Sequence, residues 1–236
     1  MTGPFSARRE IWHRLFNVAC AALGLAILSP VLSLLALCIW LCDGRPVMFS
    51  QMRVGRYGRE FRIWKFRTMR SGAIGCAVTA AGDPRITALG ARLRRFKLDE
   101  LPQLLNVLRG DMNLVGPRPE APQYVNRESP VWQAILSVRP GLTDLATLLH
   151  RDEEALLGSS VDAAGFYRRS VLPAKLQLSL QYQRTRSFVR DLKLIWLTIR
   201  YSLAPEQFDR ESIRKTFGTG AEHVGYTYSL SPAVDR

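Results

Sequence analysis

Apolar positions along this chain fall into three regimes, and each predicts a different kind of element. From Val18 to Leu41 they run for 24 residues without a formal charge. As a straight helix this run would extend about 36 Å at 1.5 Å per residue, enough for a hydrocarbon core of about 30 Å. From Val47 onward the pattern alternates. Val47 and Phe49 are separated by polar neighbours, Gly55 and Gly58 punctuate a turn, and Phe61, Ile63 and Trp64 resume an extended run, which predicts a β-hairpin ending near Met69. Residues Ser71 to Gly82 are small and polar, without periodicity, and predict a mobile loop. Helical spacing follows: Ile86, Leu89, Leu93 and Phe96 from about Pro84, then Leu101, Leu104, Leu105 and Leu108. Two further helices are predicted, over 166–188 and from Asp191, the second striped by Leu192, Ile195, Trp196, Ile199 and Leu203.

The long apolar run is interrupted by Ser29-Pro30. The proline ring removes a backbone donor and clashes with the preceding turn, and the serine hydroxyl can satisfy a freed carbonyl, so a sharp bend is expected. Both flanks are basic, with Arg8, Arg9 and Arg14 before the run and Arg45, Arg53, Arg56 and Arg59 after it. Basic flanks favour the cytoplasmic side, so neither end is marked for export. A re-entrant helix that enters and leaves by one face fits both features. A spanning helix is the competing reading, whereas a cleaved signal peptide has a shorter apolar region of about 7 to 15 residues.

Composition narrows the partners. The 236 residues suffice for one domain with a real core. A formal charge of +13 implies an acidic partner: nucleic acid, an anionic membrane face or a phosphorylated substrate. Cys20, Cys38, Cys42 and Cys76 form no disulfide framework and suit a reducing compartment. His13, His150 and His223 are too dispersed for a metal site, and there is no zinc-finger, helix-turn-helix or P-loop pattern.

Chemistry concentrates between Arg53 and Arg118. The segments FRIWKFRTMR and RLRRFK are strongly basic, yet they lead into Asp99-Glu100 and then GDMNLVGPRP. Anionic residues amid cations suit a phosphate and a divalent metal together. Read alone, Asp99 is a favoured N-cap and Glu100 a first-turn acid stabilised by the helix dipole. Capping, however, requires neither the upstream KFR segment nor the downstream Gly-Pro-Arg-Pro. Lys65 and Arg67 are candidates to orient Glu100 or hold phosphate, against the plainer reading of a solvated basic strand. Pro117 and Pro119 fix the backbone around Arg118, as a rigid turn would. Asn106 and Asp111 fall in the same stretch, with helix-surface or capping roles equally open.

KFRTMR at 65–70, DPRIT at 83–87, LDELPQLLNVLRGDMNLVGPRPE at 98–120 and RPGLT at 139–143 resemble the bacterial sugar transferase family, whose members are monotopic polyprenyl-phosphate phosphoglycosyl transferases. The resemblance runs from about Trp12 to Ser202 and looks like the family's minimal form. It implies transfer of a sugar-1-phosphate from a nucleotide sugar, usually a UDP-sugar, to undecaprenyl phosphate, releasing UMP and initiating bacterial glycoconjugate synthesis. It implies Asp99 as nucleophile, Glu100 as the second acid of a dyad, Mg²⁺ held by both, Arg94 as a phosphate clamp and Arg118 as a contact for the nucleotide or its phosphate. A carboxylate suits the task because it is already ionised near neutral pH. Cations and Mg²⁺ answer the repulsion between it and a diphosphate.

The architecture so implied is α+β and mainly helical, with a re-entrant membrane helix, a small hairpin and interfacial amphipathic helices around one catalytic domain. Its parts are residues 1–43, 44–204 and a tail, 205–236, on the cytoplasmic face of the bacterial inner membrane. Membrane lipids are implied partners, nucleic acid is not, and self-association is left open. After RPGLT the chain departs from many relatives, reading DLATLLHRDEEALLG, which touches sugar or nucleotide specificity more than the reaction. Asp152, Glu153 and Glu154 read most simply as a solvated helix face. The reading from another class is a non-catalytic, basic, membrane-associated protein that binds nucleic acid or anionic lipid.

Overall fold

The structure is a computed structural model that describes residues 7–70, 72 and 78–218. Cys76, His223 and half of the small polar stretch Ser71 to Gly82 lie outside the described residues.

The long apolar run forms helix α1, Ala7–Asp43. It continues through Pro30, and the Ser29 hydroxyl donates to the Ala26 carbonyl at 2.9 Å. That carbonyl is the acceptor four residues back that a proline cannot serve, so one side chain repairs the ladder where a break was expected. Strands β1 (Met48–Val54) and β2 (Glu60–Phe66) form the antiparallel hairpin, Phe49 opposite Lys65 and Gln51 opposite Ile63. The strand stops at Phe66, short of the expected Met69, which instead bridges Ile86.

Helix α2 spans Ala88–Arg95, capped by Thr87, whose side chain accepts from Gly90 N at 2.9 Å. It starts later than Pro84 because residues 83–86 are held in a turn by Asp83, which takes Arg85 at both carboxylate oxygens. A 3₁₀ helix, Leu98–Gln103, leads into α3, Leu104–Arg109. Strand β3 (Asn113–Val115) pairs in parallel with β4 (Gly141–Thr143), with α4, Pro130–Leu136, between them. Then come α5 (Leu145–Leu149), α6 (Glu153–Gly158), α7 (Ala163–Phe166), a π-turn over Tyr167–Val171, α8 (Leu172–Thr185), α9 (Phe188–Leu203) and α10 (Arg210–Phe217). The fold is mainly helical with two small strand pairs.

Two apolar clusters fill the domain. Leu145, Leu148, Tyr182, Leu194, Tyr201, Ile213 and Phe217 make one, so α10, beyond residue 205, is part of the core. Trp132, Ile135, Leu157, Tyr167 and Val171 make the other. Helix α1 covers two more: Ala21, Leu25 and Leu28 rest on Ile63, Leu104 and Met112, while Leu32, Leu35 and Ile39 rest on Phe66 and Leu93. Residues on both sides of Pro30 thus pack against the same domain. The opposite face of α1 leaves Leu23, Ile27, Val31, Leu34, Leu37 and Leu41 exposed.

Helix α9 is apolar on two sides. Leu194, Leu197 and Tyr201 face the core, whereas Leu192, Trp196, Ile199 and Leu203 of the sequence-predicted stripe are exposed. Phe188, at its start, meets Phe16 of α1 edge to face, 5.0 Å between centroids.

Candidate active site

The site begins with Lys97, a non-glycine residue in the left-handed region (φ 55°) between α2 and the 3₁₀ helix. Such a residue is uncommon, and here it turns the chain so that Asp99 and Glu100 point inward, both buried. Asp99 is therefore not an N-cap: Lys97 holds that position and no side chain caps the turn.

The two acids differ in their partners. Glu100 Oε1 accepts from Lys65 Nζ at 2.8 Å and from Arg118 Nη2 at 2.5 Å, and Oε2 accepts from Arg118 Nη1 at 3.1 Å. Asp99 Oδ1 is buried with no hydrogen-bond partner among the described residues. Buried polar groups are nearly always paired, and an orphan calls for an explanation. Burial pushes the Asp99 carboxyl up, Lys65 draws it partly back, and the charge on Glu100 adds to the rise. Burial would also raise Glu100, but the Arg118 guanidinium and the Lys65 ammonium hold it well below the usual carboxylate range. Two adjacent carboxyls are thereby driven apart, a pattern that marks functional sites.

Each cation of the site is carried by a different element. Lys65 comes from β2, which is tied to α3 by the buried Asn106: its side chain donates to Arg62 O at 2.7 Å and accepts from Trp64 N at 3.2 Å. Asn106 is thus a clamp between strand and helix, neither surface nor cap. Arg118 follows Gly116 and Pro117, where the GPRP and RPGLT segments meet backbone to backbone. A Cβ on Gly141 would lie 2.1 Å from Gly116 N, and Gly141 N donates to Pro117 O at 2.9 Å. Pro117 is buried in this junction, and Pro119 reaches the cavity wall. Arg94 reaches Glu154 Oε1 through Nη2 at 2.5 Å and Thr68 Oγ1 through Nη1 at 3.2 Å. Arg67 donates to the carbonyls of Asp43 and Gly44, at 2.5 and 2.9 Å, just where α1 ends.

These residues surround a cavity of about 630 Å³. Ten cationic side chains line it against five acids, Asp99, Glu100, Glu120, Glu153 and Glu154, so its field favours an anion with room for more than a phosphate. The acids from α6 correct the reading of a solvated face. Glu153 takes Lys175 at 2.8 Å, Glu154 holds Arg94, and only Asp152 stays on the surface, 3.7 Å from Arg210.

Sequence reasoning missed the far wall. Glu120, directly after GPRP, accepts from Tyr167 OH at 2.8 Å and lies 3.6 Å from Lys175. Burial works to discharge Lys175, but Glu153 and Glu120 outweigh it and hold the ammonium above its ordinary range. The one signal was a lysine inside the leucine-rich PAKLQLSL segment, which reads as a helix surface until α8 is packed.

The arrangement is a cationic cleft, roomier than a single phosphate, with the unpaired Oδ1 of Asp99 in its lining. The model of the bacterial sugar transferase family matches residues 8–205, and the chain belongs to that family. It is 40% identical over 195 residues to the UDP-glucose:undecaprenyl-phosphate glucose-1-phosphate transferase of Caulobacter vibrioides, covering 80% of this chain and 69% of that protein. It is 38% identical over 206 residues to the undecaprenyl-phosphate glucose phosphotransferase of Komagataeibacter xylinus, covering 84% of this chain but 37% of that longer protein. It is 35% identical over 206 residues to the exopolysaccharide production protein PSS of Rhizobium leguminosarum bv. phaseoli, covering 80% and 94%.

Proposed function

We propose that the protein transfers a sugar-1-phosphate from a UDP-sugar to undecaprenyl phosphate, through a covalent phosphosugar on Asp99. The observation that carries this reading is the contrast between a pinned Glu100 and an Asp99 carboxylate with no hydrogen-bond partner at Oδ1. A nucleophile needs an oxygen that is not tied up by cations, and of the dyad it is Asp99 that has one, Glu100 being held at both oxygens by Arg118.

In the first step an Asp99 oxygen attacks the phosphorus that bears the sugar, and the bond to the UMP oxygen breaks. In the second, an oxygen of undecaprenyl phosphate attacks the same phosphorus and displaces the carboxylate, giving the lipid diphosphate sugar. Lys65 and Arg118 fix Glu100 beside the reacting carboxylate, and the cationic lining offsets charge on the diphosphate. Two of the relatives carry glucose in their names, which makes UDP-glucose the first donor to test.

Mg²⁺ is proposed as cofactor. No group of three or more His, Cys, Asp or Glu able to hold a metal occurs among the described residues. The dyad fits the sparser mode of Mg²⁺ binding, one or two carboxylates plus substrate phosphates. Asp99 and Glu100 Oε2, the less occupied oxygen of that side chain, would hold it, and bound there it would neutralise phosphoryl oxygens.

For topology we read α1 as re-entrant, with the catalytic domain on the cytoplasmic face of the inner membrane. A domain packed along α1 on both sides of Pro30 cannot sit at one face of a bilayer that the same stretch crosses. The exposed apolar stripe of α9 suits the lipid interface, with Arg200 over Trp196 at 5.4 Å.

The test is rapid quenching of detergent-solubilised protein with Mg²⁺ and UDP-sugar but no lipid, followed by mass spectrometry of the peptide containing Asp99. A phosphosugar adduct that lipid discharges is expected. Turnover without any adduct overturns the covalent route.

A further inference from the structure

The reaction chemistry leaves the segment after Thr143 without a role. The fold turns it into part of the cavity lining: Thr147, His150, Glu153 and Glu154 all line the space that Asp99 and Arg118 line. Asp144 sets the wall in place, accepting from Thr147 N at 2.6 Å and from Ser179 Oγ on α8 at 2.6 Å.

The hydrogen-bonding character of this wall differs from that of the dyad side. Among the described residues Thr147 Oγ1 is buried without a partner. Glu153 Oε2 accepts from Lys175 Nζ at 2.8 Å, and among the described residues no hydrogen bond falls on Oε1. His150 Nδ1 lies 2.9 Å from Ala146 O. A carbonyl only accepts, so that nitrogen carries the proton and Nε2 is left as an acceptor. Burial draws the His150 imidazole down, favouring this neutral form. The unused capacity of the wall is therefore two acceptors and one hydroxyl.

A diphosphate presents acceptors only and could use no more than the one hydroxyl of such a surface. A pyranose presents hydroxyl donors around its ring, and carboxylate, imidazole and hydroxyl groups take them well. Among the parts of a nucleotide sugar, the sugar ring offers the most donors and is bonded directly to the phosphorus that Asp99 would attack. We propose that Thr147, His150 and Glu153 form the sugar-recognition wall and set which hexose the enzyme accepts, an assignment that rests on the nucleotide-sugar reading above. Lys175, held by Glu153 and Glu120, positions Glu153 and does not itself contact the sugar.

The experiment measures kcat/KM for UDP-glucose, UDP-galactose, UDP-N-acetylglucosamine and UDP-N-acetylgalactosamine, with undecaprenyl phosphate and Mg²⁺, beside the Kd for UMP by calorimetry. Glu153→Gln keeps an acceptor for Lys175 while removing the charge. Thr147→Val touches no ion pair and guards against misfolding of the first variant. The expected result is a change of about tenfold or more in the ratio of kcat/KM between sugars differing at one hydroxyl, with the UMP Kd unchanged. An equal fall for all four sugars makes the wall structural, and weakened UMP binding places the nucleotide there; either overturns the assignment. Normal discrimination in both variants also overturns it. If the unsubstituted protein neither binds UMP nor turns over any of the four, the nucleotide-sugar reading itself fails, and that failure is visible before any variant is made.

Discussion

Arg118 grips both oxygens of Glu100, Nη2 to Oε1 at 2.5 Å and Nη1 to Oε2 at 3.1 Å, and so fixes the second acid of the pair while leaving the first without a cationic fork. A bidentate guanidinium–carboxylate contact is among the stronger polar contacts a protein makes. Substitution at the two acids is therefore expected to have opposite effects on stability.

Asp99→Asn removes a buried charge that has no hydrogen-bond partner at Oδ1. UMP release is expected to vanish, while the thermal midpoint rises by about 2 to 4 °C, the shift that about 1 kcal/mol produces in a chain of this size. Because folding raises this carboxyl, its contribution to stability is fully present below the unfolded value of about 3.9 and is lost as pH rises through the folded value. The Asn variant should lack that loss, which thermal melts across pH 4 to 8 measure.

Glu100→Gln leaves Lys65 and Arg118 without a charged partner. Breaking a buried pair on one side costs about 3 to 5 kcal/mol, and partial exposure of the cations lowers this to about 2. Folding depresses the Glu100 carboxyl, so its stabilisation is present above the unfolded value of about 4.3 and disappears as pH falls through the folded one. Urea titrations at pH 7 and pH 3 should show a difference between wild type and Gln that shrinks at the lower pH. Some Asp99 adduct should still form.

In the metal-free protein the Asp99 carboxyl should titrate above the ordinary aspartate value of about 3.9, because burial raises it. Carbon-13 NMR of protein labelled at aspartate, compared with Asp99→Asn, supplies the number, and a value at or below about 3.9 would contradict the raised carboxyl.

Gly141→Ala would place a methyl 2.1 Å from Gly116 N and 2.5 Å from Gly116 O, so the β3–β4 junction must open. Overpacking of this kind costs about 1 to 3 kcal/mol. Since Arg118 lies two residues beyond Gly116, turnover should fall with stability, read as the initial rate beside the thermal midpoint.

A reporter fused after Asp43 should remain cytoplasmic, since that end of α1 is tied to the catalytic domain by Arg67 and by Thr87, whose hydroxyl donates to Asp43 Oδ2 at 2.9 Å. An exported, active reporter would sink the re-entrant topology.

The local elements could be read from the chain because their signals are local. The Val47–Phe49 alternation with Gly55 and Gly58 marks the hairpin, and the apolar spacing of Leu89 and Leu93 marks α2. Asp99 and Glu100 were legible as a pair, yet nothing in LDEL shows that one would be pinned and the other left open; that depends on Arg118, brought close by the Gly116–Gly141 contact. The far wall was illegible for the same reason. Glu153 and Lys175 are 22 residues apart and look like surface charges until α6 and α8 pack. Ser29-Pro30 predicted a break, and the hydroxyl's bond to Ala26 O kept the helix continuous.

Lys65 and Arg67 sit two positions apart at the end of β2, one holding Glu100 and the other the last carbonyls of α1. Two residues of strand span about 7 Å. On the proposed topology that short rigid link acts as a depth gauge, setting the height of the dyad relative to the point where the apolar helix surfaces. On the proposed reaction a lipid-borne phosphate would then meet Asp99 without leaving its own leaflet, and the soluble nucleotide sugar would be the partner that must travel.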